Sequence, residues 1–376
     1  MKPTIFSLLG LMALVMISCR PTELPPSPPS PPIMDGSISA IQDEFMGKEI
    51  VLAGSQGRNL VVAFERRLPD GTLLDFQTSK TGLPAILEDN EGNTWNMFGE
   101  AILGPRTGEK LLPLRGYIGY WFSFGSFFPG LEIYDDSRTV NAPPAPAPSN
   151  QNWGLSVQNV YSGAGQDGIP SLETPQIDLF RERDHLENPY YLTDDELIVG
   201  IKVGDTYRAY SHAVLNWHEI VNDTIGNEAF SLIYCPLTGT AMAWNRVING
   251  ETTTFGVSGL LYNNNVMPYD RNSGSIWSQM REDCVNGPLL GPLAEPIPVI
   301  ETTWGTWRRM FKSTQILSNQ TGIARDYTEY PYGTYRENHD FLAFPLTFDD
   351  TRLPRKERVY GVVIDGEAKV YRLQSF

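Results

Sequence analysis

The stretch 231-SLIYCPLTGTAMAWNRVINGETTTFGVSGLLYNNNVMPYDRNSGSIWSQMREDCVNGPLLG-291 decides how the rest of the chain is read. Its apolar runs are short and are punctuated by Pro, Gly, Asn and Asp, which marks strands and turns rather than helices. It carries Cys235 and Cys284, and Pro236 directly follows the first of them. Proline cannot donate a ladder hydrogen bond, so a strand ending at Cys235 is expected.

Composition carries this reading outward. Of 376 residues, 34 are Gly and 29 are Pro, and 11% are aromatic. Such a mixture favours many short strands and turns over long helices. The expected fold class is therefore a β-rich α+β protein with few short helices. Strands are expected over 49–53, 60–66, 197–203, 206–210, 230–234, 241–247, 252–257 and 359–364. Short helices are expected over 212–221 and 303–311. A net charge of -15 argues against a nucleic-acid partner, since phosphate binding needs a basic face. Only 19% of residues are charged, which fits a folded body and not a disordered acidic one.

The N-terminus reads as a targeting segment. Residues 1–18 hold Lys2 and then an apolar run that is short for a membrane span and fits a secretory signal. The run ends Met16-Ile17-Ser18-Cys19, which resembles a bacterial lipobox. That resemblance implies acylation of Cys19 and cleavage before it. Residues 19–35 form a Pro-rich tether, which can build neither helix nor ladder and stays extended. The expectation is a lipoprotein of the bacterial cell envelope. It is held by its N-terminal lipid on the extracytoplasmic side of a membrane.

The body reads as two related halves. A second Pro-rich stretch over 141–152 separates an N-terminal degenerate repeat, 36–140, from a core domain, 153–376. Gly104, Trp121 and Ile133 stand at one constant spacing from Gly287, Trp304 and Ile316. A fixed spacing over Gly and aromatic positions suggests an internal duplication. Ser55 falls where Cys235 sits, so the first copy lacks the Cys-Pro motif. The segment 197–210 also resembles 359–371, and each reads as a hairpin. The first half has no hairpin of its own, which leads to the expectation that the C-terminal one returns to supply it.

Several motifs occur together in one order: Tyr234-Cys235-Pro236-Leu237, Gly239-Thr240-Ala241, Phe255-Gly256-Val257-Ser258-Gly259-Leu260, Tyr269-Asp270-Arg271 and Trp277-Ser278-Gln279. Together they resemble the domain-of-unknown-function 3179 family. His218-Glu219 with Val221-Asn222-Asp223 also matches that family's pattern. The resemblance implies a second cysteine at the position of Thr238, where a C-x-x-C pair would favour thiol–disulfide chemistry. Thr238 breaks that pair here.

These motifs give the candidate site. Cys235 and His218 are candidate catalytic residues, a nucleophile and its base. Two readings of Cys235 stay open: a lone thiol near His218, or a disulfide with Cys284, natural outside the cytoplasm. Asp270, Arg271, Trp277, Arg325 and Tyr327 are candidate ligand-binding residues. Arg271 would clamp an anionic group and Trp277 would form a wall. Structure alone also accounts for such residues: turn-capping Asp, surface ion pairs and packed tyrosines are ordinary. No phosphate-binding loop, H-E-x-x-H pair or hydrolase elbow is present, and no metal ligand set is assigned. The sequence names no cofactor and no substrate or protein partner. A thiol-dependent or redox-linked enzyme leads, and a non-catalytic binding or scaffold lipoprotein competes with it.

Overall fold

The computed structural model describes residues 36–181 and 191–376. The expected signal segment, Cys19 and the expected tether lie outside the described residues. Residues 36–376 belong to one unit that runs from Met34 to Phe376, and this unit is rich in strands, as its composition led us to expect.

Each half contains an antiparallel meander. In the first half it is Ser39–Phe45, Lys48–Ser55 and Leu60–Glu65. Lys48–Ser55 reads Ile-Val-Leu-Ala at its centre, and every residue from Ile50 to Ser55 is buried. In the second half the meander is Ile220–Ile225, Glu228–Cys235 and Thr240–Asn245. The registers agree. Ala40 faces Ala53 as Ile220 faces Ile233, and Ser55 faces Leu60 as Cys235 faces Thr240.

A small twisted sheet follows in each half. The first is Phe76–Thr78, Ala85–Asp89, Thr94–Asn96 and Ala101–Leu103. The second is Phe255–Tyr262, Asn265–Asp270, Ile276–Ser278 and Asp283–Asn286, with Val160–Ser162 added at its edge. Trp95 faces Ala101, and Trp277 faces Cys284. Each indole N–H donates to a buried carboxylate, Trp95 to Asp89 at 2.8 Å and Trp277 to Asp270 at 3.1 Å.

A strand–helix–strand unit closes each half. In the first, α1 (Trp121–Phe127) joins Gly116–Tyr120 to Glu132–Ile133. The second half contains α2 (His212–His218) before its meander and then α3 (Trp304–Met310), which joins Val299–Thr303 to Ser313–Leu317. The hairpin Leu197–Val203/Thr206–Ser211 pairs antiparallel with Val299–Thr303 and parallel with Ser313–Leu317. The C-terminal hairpin Arg358–Ile364/Glu367–Arg372 pairs in the same two senses with Gly116–Tyr120 and Glu132–Ile133. It therefore lies in the first half.

The halves also exchange contacts. The Tyr120 N–H donates to the Thr238 carbonyl at 2.7 Å, and the Thr303 N–H donates to the Arg58 carbonyl at 3.1 Å. One apolar cluster joins Trp95 and Leu111 of the first half to Trp304, Trp307 and Ile316 of the second. Burying one such indole removes roughly 150–250 Å² from water, a gross gain of about 5 kcal/mol before entropy is counted.

One expectation needs correction, and one helix lies outside the expectations. The helix expected over 212–221 ends at His218, because Glu219 takes a left-handed backbone (φ 57°) and Ile220 begins a strand. Helix α1 was not expected from pattern alone, since its sequence WFSFGSF has Gly and aromatic residues where helix formers are usual.

Candidate functional site

Cys235 ends its strand at Pro236, as the sequence implies. The turn that follows is closed by the Gly239 N–H donating to the Cys235 carbonyl at 2.8 Å. A buried network fixes this turn. The Asn265 amide donates to Thr238 Oγ1 at 3.0 Å and to Gln279 Oε1 at 2.6 Å, and Thr240 Oγ1 donates to the same Gln279 oxygen at 2.7 Å. Thr238, which breaks the expected C-x-x-C pair, is thus a structural hydrogen-bonding residue.

The thiol itself is sealed. Cys235 is 1% exposed and packs with Tyr120, Leu237, Val266 and Tyr335. Its Sγ donates a weak hydrogen bond to the Asn264 carbonyl at 3.5 Å. Burial, with the Glu219 carboxyl adding to it, pushes the thiol up to about 11. Reactive cysteines show the opposite shift, in exposed electropositive settings.

His218 lies at the end of α2 and is fully buried. Its Nδ1 stands 2.7 Å from the Pro170 carbonyl and its Nε2 stands 2.7 Å from the Tyr327 hydroxyl. A carbonyl only accepts, so Nδ1 carries the proton and Nε2 accepts from Tyr327. Burial lowers the imidazole pKa and favours this neutral form. Both ring nitrogens are therefore engaged by groups other than Cys235.

Of the two readings left open for Cys235, the structure contains the free thiol and not the bridge to Cys284. Cys235 and Cys284 are both free thiols. Cys284 lies across from Trp277, and its Sγ is directed at the Asn286 carbonyl at 3.5 Å, while Cys235 is directed at Asn264. The two side chains are committed to different strand ends.

The expected ligand-binding residues have protein partners. Asp270 is 1% exposed and accepts from the Ser273 N–H at 2.8 Å, the Ser273 hydroxyl at 2.6 Å and the Trp277 indole. Arg271 pairs with Asp167 and Glu173, each at 2.7 Å, so its fork is already filled by carboxylates. Tyr327 bonds His218 and Thr321, and Arg325 lies 5.6 Å over the Trp217 ring. Of the expected site, the structure brings together His218 with Tyr327, and Asp270 with Trp277.

One residue that the sequence reading passed over is Glu219. It is buried, sits in a left-handed backbone conformation, and accepts from the Tyr332 hydroxyl at 3.1 Å. Burial pushes its carboxyl up to about 7. A strained, buried carboxyl beside a thiol is a recognised mark of a functional site. The signal lies in the pair His218-Glu219, whose carboxyl as well as its imidazole belongs to the family's pattern. Tyr332 comes from residues 318–357, which contain no helix or strand. Tyr330, Tyr332 and Tyr335 of this segment pack into the same cluster as Cys235. Lys356 fastens the segment by donating to the Tyr335 and Phe341 carbonyls.

Among the described residues, no group of three His, Cys, Asp or Glu is placed to hold a metal ion. Two of the cavities among the described residues contrast in chemistry. One of about 670 Å³ is lined by Asp136, Arg138, Arg352 and Lys369, and its charges pair with one another or with neighbours. The other, about 210 Å³, is a largely apolar groove lined by Ile248, Leu289 and Leu293, above the buried Trp277 and Phe255.

The family model described as "Protein of unknown function (DUF3179)" matches residues 166–376, more than half of the chain. The chain belongs to this family. No curated protein and no solved structure matches it. The DUF3179 region contains Cys235, His218, Glu219, Thr238 and the loop bearing the tyrosines, together with the C-terminal hairpin that completes the first half.

Proposed function

We propose that this DUF3179 protein is an extracytoplasmic lipoprotein whose folded body binds a target rather than transforming one. It is held to a membrane surface by a lipid on Cys19. The observation that carries the non-catalytic reading is the sealed Cys235, with both nitrogens of His218 bonded elsewhere. The short apolar leader ending at Cys19 and the Pro-rich tether support the anchor. The matching frames of the halves fit an old duplication in which the first copy became a structural partner.

Alkylation of purified protein lacking residues 1–19 tests the central point. Cys235 should react only after unfolding, with or without a reductant. Rapid reaction of native Cys235 at neutral pH would overturn the binding reading. Cys19→Ala should move the full-length protein from the membrane fraction to the soluble one, and continued tight retention would count against the lipid.

One observation favours a second reading, a thiol-dependent or redox-linked enzyme. Glu219 is tuned to about neutral and stands near Cys235. On this reading Glu219, not His218, takes the thiol proton once the tyrosine segment lifts. Native alkylation that is slowed by Glu219→Gln would support it.

A further inference from the structure

The apolar groove gains meaning from the same place in the first half. The correspondence rests on backbone hydrogen bonds. The Arg106 N–H donates to Asn93 Oδ1 at 2.7 Å, and the Leu289 N–H donates to Ser275 Oγ at 3.1 Å. The Gly108 N–H donates to the Ala101 carbonyl as the Gly291 N–H donates to that of Cys284. The Glu65 N–H donates to the Leu112 carbonyl as the Asn245 N–H donates to that of Glu295. The floor agrees too: Phe76 packs edge-on to Trp95 at 6.3 Å, and Phe255 to Trp277 at 5.9 Å.

On this common frame the two surfaces differ in chemistry. In the first half Arg106 crosses the site and binds Glu91 at 2.6 Å, Glu109 at 3.1 Å and Asp70 at 3.2 Å. In the second half Leu289 stands where Arg106 does, Pro292 where Glu109 does, and Leu293 where Lys110 does. The ion cluster that closes the first site is replaced by an apolar wall, and a groove of about 210 Å³ remains. Leu293 is 74% exposed on its lip, and Val247 beside it in the lining is also exposed.

We infer that this groove is a binding site for a small aromatic amine, a single ring carrying a positive charge. The inference rests on the binding reading above and supplies its ligand class. The volume is below the roughly 300–1,000 Å³ usual for drug-sized ligands, which suits one ring. Val247, Ile248, Leu289 and Leu293 line it with apolar side chains, above the buried rings of Trp277 and Phe255. The rim supplies Glu295, whose carboxylate is held by the Asn245 amide at 3.2 Å. Among the described residues lining the groove there is no Lys, Arg or His. A chain of net charge -15 further draws in a cation.

The test uses protein lacking residues 1–19 and three probes followed by tryptophan fluorescence and calorimetry: 2-phenylethylamine, phenylacetate and ethylamine. The first should bind saturably, and the other two should not, since one lacks the charge and the other the ring. Leu289→Arg restores the closing residue of the first half and should weaken phenylethylamine more than about tenfold. Glu295→Gln, an exposed change that leaves the fold intact, should weaken it about two- to fivefold, the size of an exposed ion pair. No saturable binding, equal binding of all three probes, or affinity unmoved by both substitutions would overturn the site. Cys235 alkylation is independent of the groove, so failure here is distinguishable from failure of the binding reading.

Discussion

The two halves share a frame and differ in what they bury. At the end of the central meander strand the first half places Ser55 and the second places Cys235, both buried. At the following small sheet the first half places an exposed ion cluster around Arg106, and the second an apolar groove around Leu289. At the strand start the first half places Ser39, and the second the strained Glu219. Backbone register alone does not decide function, because the same register carries both sets. The difference lies in side chains at equivalent positions, and all the unusual ones fall in the DUF3179 region.

The largest expected effect tests the shared frame. Trp95 and Trp277 are both buried and both bond a carboxylate. Trp95→Ala and Trp277→Ala should each lower unfolding stability by about 3–5 kcal/mol, measured by denaturant titration. A loss confined to one of them would break the equivalence of the halves.

Next comes the titration of Glu219, which has no counterpart in the first half. Its folded value of about 7 lies above the ordinary 4.5. The folded state therefore holds the proton more tightly than the unfolded chain. The stabilising share is complete below pH 4.5 and is lost as pH rises to about 7, a swing of about 3 kcal/mol. Glu219→Gln should flatten stability across that window, whereas an unchanged slope would assign the dependence elsewhere.

A smaller effect separates the two tryptophan environments. Cys284→Ala installs the residue that Ala101 provides in the first half, and it should cost about 1 kcal/mol. A much larger loss would mean that the thiol has a role beyond packing. The smallest effect concerns Arg106, whose carboxylate partners are exposed. Arg106→Gln should destabilise slightly at low salt and not at high salt. A loss independent of salt would mean that the arginine acts by packing and not by charge.

Much of the fold was legible because strand signals are local. Runs such as Leu60 to Phe64 and Phe230 to Tyr234 carry apolar and β-branched residues between turn formers, and they became strands. The end of α2 was misplaced because Glu219 adopts a backbone that its residue type does not announce. The site was less legible for a related reason. His218 and Cys235 are close in sequence, but the imidazole is aimed by Pro170 and Tyr327, which come from distant segments. The buried carboxyl of Glu219 depends on Tyr332, far along the chain, and no periodicity reports that contact. Arg271 is the converse case: a free-looking guanidinium whose partners, Asp167 and Glu173, lie in a loop without strong pattern.

The return of the C-terminal hairpin has a consequence for how the chain is made. Gly116–Tyr120 and Glu132–Ile133 have their sheet partners in Arg358–Ile364 and Glu367–Arg372. A ribosome delivers those partners long after the strands that they complete. The first half is thus closed only after most of the second has been made, and its sheet stays open until that hairpin arrives. Such long-range closure slows folding and leaves an unpaired edge in the meantime. The molecule is assembled like an arch, with that hairpin as its keystone.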